Sequence, residues 1–180
     1  LCDWSSDVCS SDLLVDNKHW SPLEMVDVTF EIETTRDIGR QLLRHRSFQF
    51  QEFSQRYAEV KGYSNYREAR LQDPNNRQAS VKTNDEDLCN WFYSSQDDVI
   101  DFCQHRYKTA LDMGIAKEQA RCFLPEGLTN TTLYMKGPLR SWIHFIELRK
   151  GNGSQKEISL IALELEKELK KLFPNILTQT

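Results

Sequence analysis

Between Val26 and Glu33 the chain alternates without interruption: Val26, Val28, Phe30 and Ile32 are apolar, while Asp27, Thr29, Glu31 and Glu33 are polar. Successive side chains of a strand point to opposite faces, so this run buries one face and wets the other only when extended. The rest of the chain reads mostly with a helical period. Thr34 or Thr35 can cap a helix running to about Arg46, with Asp37 in its first turn, Ile38 and Leu42 on its core face and Leu43 beside them. Before the strand, Pro22 fixes φ within a turn at 17–25 and pushes Ser21 toward an extended shape.

Further along, residues 61–84 are polar and turn-rich, with Asp73-Pro74-Asn75-Asn76 and few aliphatics, which predicts an excursion with limited regular structure. Helices are predicted at Asp85–Tyr93 and, behind a cap at Ser95, at Gln96–Met113, where Val99, Cys103, Tyr107, Ala110 and Leu111 form a buried stripe and Gly114 a stop. Another runs from Ala116 to about Phe123, before Pro125. Thr129–Lys136 reads as a second strand. Gly137-Pro138 then breaks it, with Pro138 as the first residue of a helix that turns Trp142, Phe145, Ile146 and Leu148 inward. The last helix begins at a capping box, Ser154-Gln155-Lys156-Glu157, continues to Leu172, and carries a solvated Glu and Lys face.

With 180 residues, 39% hydrophobic and 28% charged, the chain suits one domain with a real core. Its net charge of −4 argues against general nucleic-acid binding, which needs a broad excess of Lys and Arg, so any anion site must be local. No apolar run is long enough to cross a bilayer and none resembles a secretory signal, which predicts a cytoplasmic protein with no membrane partner. Cys89, Cys103 and Cys122 make no metal-binding spacing and are expected as reduced thiols, and no metal is expected. Residues 1–13 repeat a Ser-Ser-Asp unit and lack Lys and Arg. They resemble translated sequencing-adapter sequence joined to a reading frame that begins mid-gene, so the folded domain is expected at 14–180.

Chemistry concentrates at Arg44-His45-Arg46-Ser47-Phe48-Gln49-Phe50-Gln51-Glu52-Phe53-Ser54-Gln55-Arg56-Tyr57. Arg presents a planar fork of donors suited to phosphate or carboxylate. On a continuous helix Gln41, Arg44 and His45 lie at i, i+3 and i+4 and share a face. Phe48, Phe50 and Phe53 can then anchor an extended segment in the core while Glu52, Ser54 and Arg56 face outward. Two other readings stay open on the residues alone: cations that offset a helix's negative end, or a single-stranded nucleic-acid or RNA-binding module in which Phe48, Phe50, Phe53 and Tyr57 stack bases.

Arg44-His45-Arg46, seven residues and then Ser54 resembles the signature of the flavin-dependent thymidylate synthases, the ThyX family. His19-x-Ser21-Pro22-x-Glu24, Gln41, Glu52, Arg56, Ala120-Arg121-Cys122-Phe123-Leu124-Pro125, Leu139-Arg140-Ser141, Leu148-Arg149 and Ser154–Ile158 resemble the family's other motifs, in order. The resemblance implies an α+β fold with a small sheet packed by several helices. It also implies a homotetramer whose sites form between subunits, and reductive methylation of dUMP to dTMP with methylenetetrahydrofolate as carbon donor. FAD reduced by NADPH is then the hydride source, and Arg149 activates the pyrimidine. The dUMP-binding set is Gln41, Arg44, Glu52, Phe53, Ser54, Gln55, Arg56, Arg121 and Arg149, and the FAD-binding set is Ser21, Arg44, His45, Arg46, Glu52, Arg140 and His144. Gln55 replaces a residue that is often Gly, and His144 stands where Asn is common. The family's strand and helix before His19 are missing here, so poor solubility or weak tetramerisation and poor activity are expected, with an inactive flavin-binding remnant as an alternative.

Overall fold

The computed structural model describes residues 17–60, 62–63, 66–151 and 153–174; the leader read at 1–13 lies outside them. A 3-10 turn at Ser21–Met25 leads to β1 (Asp27–Thr35), α1 (Arg36–Leu42), β2 (Gln49–Glu52), β3 (Arg70–Gln72) and β4 (Ser80–Lys82). Then come the long α2 (Glu86–Asp112), the short α3 (Lys117–Ala120), β5 (Asn130–Pro138), α4 (Leu139–Lys150) and α5 (Lys156–Leu172). Three strands form a sheet in the order β1–β5–β2, and β3 pairs with β4. Helices together with a small sheet are the mixed architecture that the resemblance implies. Among the described residues, contacts define two units: one of 17–30 with 45–49 and those from 136 to 174, the other of 31–44 and those from 50 to 135.

In the first unit, α4 buries Trp142, Ile143, Phe145 and Ile146. Trp142 meets Phe48 edge-on at 4.6 Å and Phe30 at 5.0 Å. The helix start is bonded to β1 and the residue before it: Leu139 N donates to the Val26 carbonyl at 2.8 Å, and Trp142 Nε1 to the Val28 carbonyl at 3.2 Å. α5 packs on α4 and buries Ile158, Ala162, Leu165 and Leu169, one face at helical spacing.

Several expectations fail here for local reasons. Val26 is exposed and precedes the strand, since its carbonyl, not its side chain, is what the fold uses. Leu148, six residues after Trp142, lies most of the way round the helix from it and is exposed. Pro138 keeps an extended ψ of 151° and ends β5 as the N-cap of α4 instead of starting the helix. The capping box does not form, because the Ser154 hydroxyl donates to the Leu148 carbonyl and so closes the end of α4. Glu166 is buried, not solvated; burial alone pushes its pKa up, but hydrogen bonds from Lys170 and Lys150 hold it below the usual carboxylate range.

In the second unit the strand pattern of β1 holds through Glu33, with Ile32 buried between exposed Glu31 and Glu33, and breaks only at the last residue, Thr35, which is buried on the Glu31–Glu33 face. α1 stops at Leu42 instead of Arg46. The next positions on its Ile38–Leu42 face are His45 and Arg46, which offer no apolar surface to hold another turn. Leu43 is accordingly exposed, the Arg44 N–H bonds at i−3 to Gln41, and Gln41, Arg44 and His45 do not share a helix face. The excursion at 61–84 contains an antiparallel hairpin with Arg70 opposite Lys82, and the Asp73 carboxylate accepts the N–H groups of Asn75 and Asn76 at its turn.

α2 is one helix of 27 residues, not two. Asp85 caps it by accepting from Leu88 N at 3.0 Å, so Ser95 is interior. Ser94 satisfies its hydroxyl on the Trp91 carbonyl, and Gln96 bonds both backbone groups of Arg67; these contacts outweigh the few tenths of a kcal/mol by which Ser disfavours a helix. Gly114, with φ of +81°, ends α2 as expected: its N–H reaches the Leu111 carbonyl and the Ile115 N–H that of Ala110. Of the predicted stripe Tyr107 and Ala110 are buried with Ala120 and Leu124, Leu111 packs beside them, Cys103 is half-buried and Val99 is exposed.

One glycine is required by packing. A Cβ on Gly137 would stand 2.5 Å from Cδ1 of Phe48, whose ring is held by Trp142 and Phe145. Gly137→Ala is therefore expected to destabilise the chain by about 1–3 kcal/mol, read as a lower urea midpoint at unchanged slope.

Candidate functional site

Each unit carries a cleft built on its own elements. In the first, Leu23 is buried and anchors the 3-10 turn, which presents Glu24 to the first turn of α4; there Arg140 Nη1 meets the Glu24 carboxylate at 2.6 Å. Arg140, His144 and Glu147 follow at i, i+4 and i+7, a face opposite the buried Trp142–Ile146 side. Together with Trp20, Ser47, Ser141 and Ile143 they line a cleft of about 460 Å³. The Arg140–Glu24 pair is about half solvent-facing, so exchanging Glu24 for an anionic ligand costs little.

Beside these elements His45 packs edge-on to Phe145 at 4.8 Å, and its Nε2 accepts from Arg149 Nε at 2.9 Å. Of the residues expected to meet FAD, the cleft thus gathers Arg140 and His144. Ser21 lies in the 3-10 turn and Arg46 in an exposed turn, neither lining it, while Arg44 and Glu52 belong to the other unit. Trp20, Ser47 and Glu147 were missed. Glu147 was legible in principle, as the next residue on the Arg140–His144 face.

The second unit's cleft, about 200 Å³, is lined by Phe53, Ser54, Gln55, Ala58, Glu59, Val60, Gly62 and Asn130–Thr132. Its floor is a tight turn. Phe53 N bonds the Thr132 carbonyl, the Ser54 carbonyl accepts from both Tyr57 N and Ala58 N at 3.2 Å, and the Ser54 hydroxyl accepts from Arg56 N at 3.3 Å. Glu52 is half-buried, with Thr131 Oγ1 donating to it at 2.6 Å and Arg36 3.3 Å away.

Arg56 and Arg121 converge on one residue: Arg56 Nη2 lies 3.2 Å from the Glu118 carboxylate, and Arg121 Nε donates to the Glu118 carbonyl at 3.2 Å. Lys117 adds a third cation, donating to the Tyr57 carbonyl at 3.3 Å. It was missed because nothing in the linear order joins it to the Ser54 turn. Of the other residues expected on dUMP, Gln41 is half-buried, Arg44 is exposed in the turn after α1, and Arg149 belongs to the first unit.

Two expectations about this stretch are corrected. Phe53 is 59% exposed at the cleft instead of anchored in the core, whereas Phe48 is 7% exposed and cannot stack on a base. Gln55 faces inward: it is 9% exposed, and its Nε2 is buried without a hydrogen-bond partner. Such an orphan donor costs about 1–3 kcal/mol, a price in stability that functional sites commonly carry. Gln55→Leu is therefore expected to raise the urea midpoint of the ligand-free chain while weakening nucleotide binding; an unchanged or lower midpoint would show that the amide is already satisfied.

A mixed fold of helices and a small sheet, with one cleft carrying Arg140 and the other built on the turn that carries Arg56, defines a protein suited to anionic small molecules. The pattern of the family described as thymidylate synthase complementing protein, Thy1, matches residues 9–175. A flavin-dependent thymidylate synthase of Synechocystis sp. is 51% identical over 158 residues, covering 88% of this chain and 73% of that protein. A probable flavin-dependent thymidylate synthase of Paramecium bursaria Chlorella virus 1 is 46% identical over 162 residues, 90% of this chain and 74% of that protein. The crystal structure of a UMP/dUMP methylase, PolB from Streptomyces cacaoi, bound with 5-Br UMP, aligns with a TM-score of 0.82 at 29% identity, covering 92% of this chain and 77% of that one. The chain belongs to the Thy1 family, that of the flavin-dependent thymidylate synthases.

Proposed function

We propose that this chain is a flavin-dependent thymidylate synthase that methylates dUMP reductively to dTMP, with methylenetetrahydrofolate as carbon donor and FAD, reduced by NADPH, as the cofactor that supplies the hydride. The observation that carries the reading is the family match across residues 9–175, joined by the convergence of Arg56 and Arg121 on Glu118 beside the Ser54 turn. In the second unit, Glu52, Phe53, Ser54, Gln55, Arg56 and Arg121 bind the nucleotide: the cations neutralise its phosphate and the turn supplies short-range donors. In the first unit, the donor set Arg140, His144 and Ser47, with the aromatic Trp20, fits a flavin nucleotide, and His45 and Arg46 join it. Arg149 acts on the uracil ring, where its half-buried guanidinium stabilises charge that develops on a carbonyl oxygen and N3. Gln41 and Arg44 reach dUMP from a neighbouring subunit of a homotetramer, and the enzyme works in the cytoplasm.

A nucleic-acid module is disfavoured by the burial of Phe48 and the net charge of −4. The test is to purify the chain, record flavin absorbance and follow NADPH oxidation with and without dUMP. Bound FAD with dUMP-stimulated oxidation supports the synthase. Bound FAD without stimulation marks a remnant, and no flavin with salt-sensitive RNA binding overturns the reading. Within it, Arg56→Ala is expected to weaken dUMP binding by about 10- to 100-fold, the worth of one charge-assisted hydrogen bond, with flavin retention changed less than twofold or so; the reverse pattern would show the labour divided wrongly.

A further inference from the structure

Arg149 is the penultimate residue of α4, and two side chains from different segments hold it. Its guanidinium Nε donates to His45 Nε2 at 2.9 Å, and its main-chain carbonyl accepts from Ser159 Oγ at 2.6 Å. A ring nitrogen that accepts carries no proton, so this bond selects the neutral imidazole with its hydrogen on Nδ1. The imidazole is itself fixed, edge-on to Phe145 at 4.8 Å and to Phe48 at 6.5 Å. Ser159 stands in the first turns of α5 and secures a carbonyl at the end of α4, where helix carbonyls lack partners within the helix. A cation that merely offsets a helix's negative pole needs no acceptor on its guanidinium. Arg149 has one, and its aromatic surroundings determine the acceptor's position.

We propose that His45 and Ser159 are positioning residues for Arg149: His45, as the neutral Nδ1–H tautomer, fixes the guanidinium plane, and Ser159 fixes the turn from which it projects. The proposal rests on reading Arg149 as the group that acts on the uracil ring. An arginine held in this way has already lost its rotamer freedom before substrate arrives, so its interaction with the developing charge is not spent on ordering the side chain. The role is additional to any contact that His45 makes with flavin, and the test separates the two.

His45→Phe keeps a ring against Phe145 but removes the acceptor, His45→Gln restores an acceptor oxygen, and Arg149→Lys removes the Nε donor. With rates normalised to bound FAD, His45→Phe is expected to lower kcat for dUMP by about 10- to 100-fold, with a smaller change in KM, as loss of an interaction made in the transition state requires. His45→Gln should recover a several-fold share of that loss. The double variant His45→Phe/Arg149→Lys should be no slower than Arg149→Lys alone, because both remove the same bond. Ser159→Ala should lower kcat without releasing flavin.

Multiplicative effects of His45→Phe and Arg149→Lys, or a His45→Gln variant as slow as His45→Phe, would overturn the proposal. Nitrogen-15 spectra of the imidazoles in the ligand-free chain read the brace without turnover. Nε2 of His45 should be unprotonated and should shift in Arg149→Lys, and a protonated Nε2 sinks the brace. A wild-type chain that shows the brace yet never turns over dUMP would instead sink the synthase reading and, with it, the catalytic purpose assigned to the brace.

Discussion

Trp142 is wholly buried, yet its indole N–H has a partner in the Val28 carbonyl, 3.2 Å away. A large ring and a polar handle are both satisfied at one position, which few residues can achieve. Phe30, Phe48 and Phe145 surround the ring edge-on, so α4 is fixed both along its axis and in rotation. That rotation decides what the opposite face offers. With Trp142, Ile143, Phe145 and Ile146 committed inward, Arg140, His144 and Glu147 are obliged to line the first unit's cleft, and Arg149 ends the helix within reach of His45.

The second unit's cleft follows a different logic. The Ser54 turn is assembled from backbone hydrogen bonds that meet on the Ser54 carbonyl and hydroxyl. Its neighbours are charged and solvent-facing. Arg56 and Glu118 are each about half exposed, so the pair adds little to stability and leaves Arg56 available for exchange. The first cleft is thus set by a rigid helix face and the second by a backbone turn beside an exchangeable ion pair.

How much of this could be read in advance depends on the range of the deciding interaction. β1 was legible because its alternation is local, and so was Gly114, whose positive φ completes a stop the preceding stripe announces. The end of α1 was not, because Leu43 and Arg44 are acceptable helix residues and the helix stops for want of apolar surface further along. Ser95 looked like a cap until Gln96 bonded to Arg67, 29 residues away. In the candidate site, Arg140, His144 and Ser54, which line the clefts, were singled out by resemblance to family motifs, as were Arg56 and Arg121. The inward turn of Gln55, the pairing of His45 with Arg149 and the approach of Lys117 to Tyr57 are tertiary facts with no local signature.

The hairpin of β3 and β4 bears on the order of events as the chain collapses. Its register pairs Arg70 with Lys82, so it closes over a short stretch of chain, and Arg70 reinforces it through bonds to the Ser80 hydroxyl and carbonyl. Hairpins of this kind form in about 1–10 μs. β1 and β5 meet across far more chain, as the Tyr134–Glu31 hydrogen bond at a separation of 103 residues illustrates, and must wait for that larger loop to close. The segment that looked least structured in the linear sequence is thus placed to acquire its native pairing before the sheet that defines the fold.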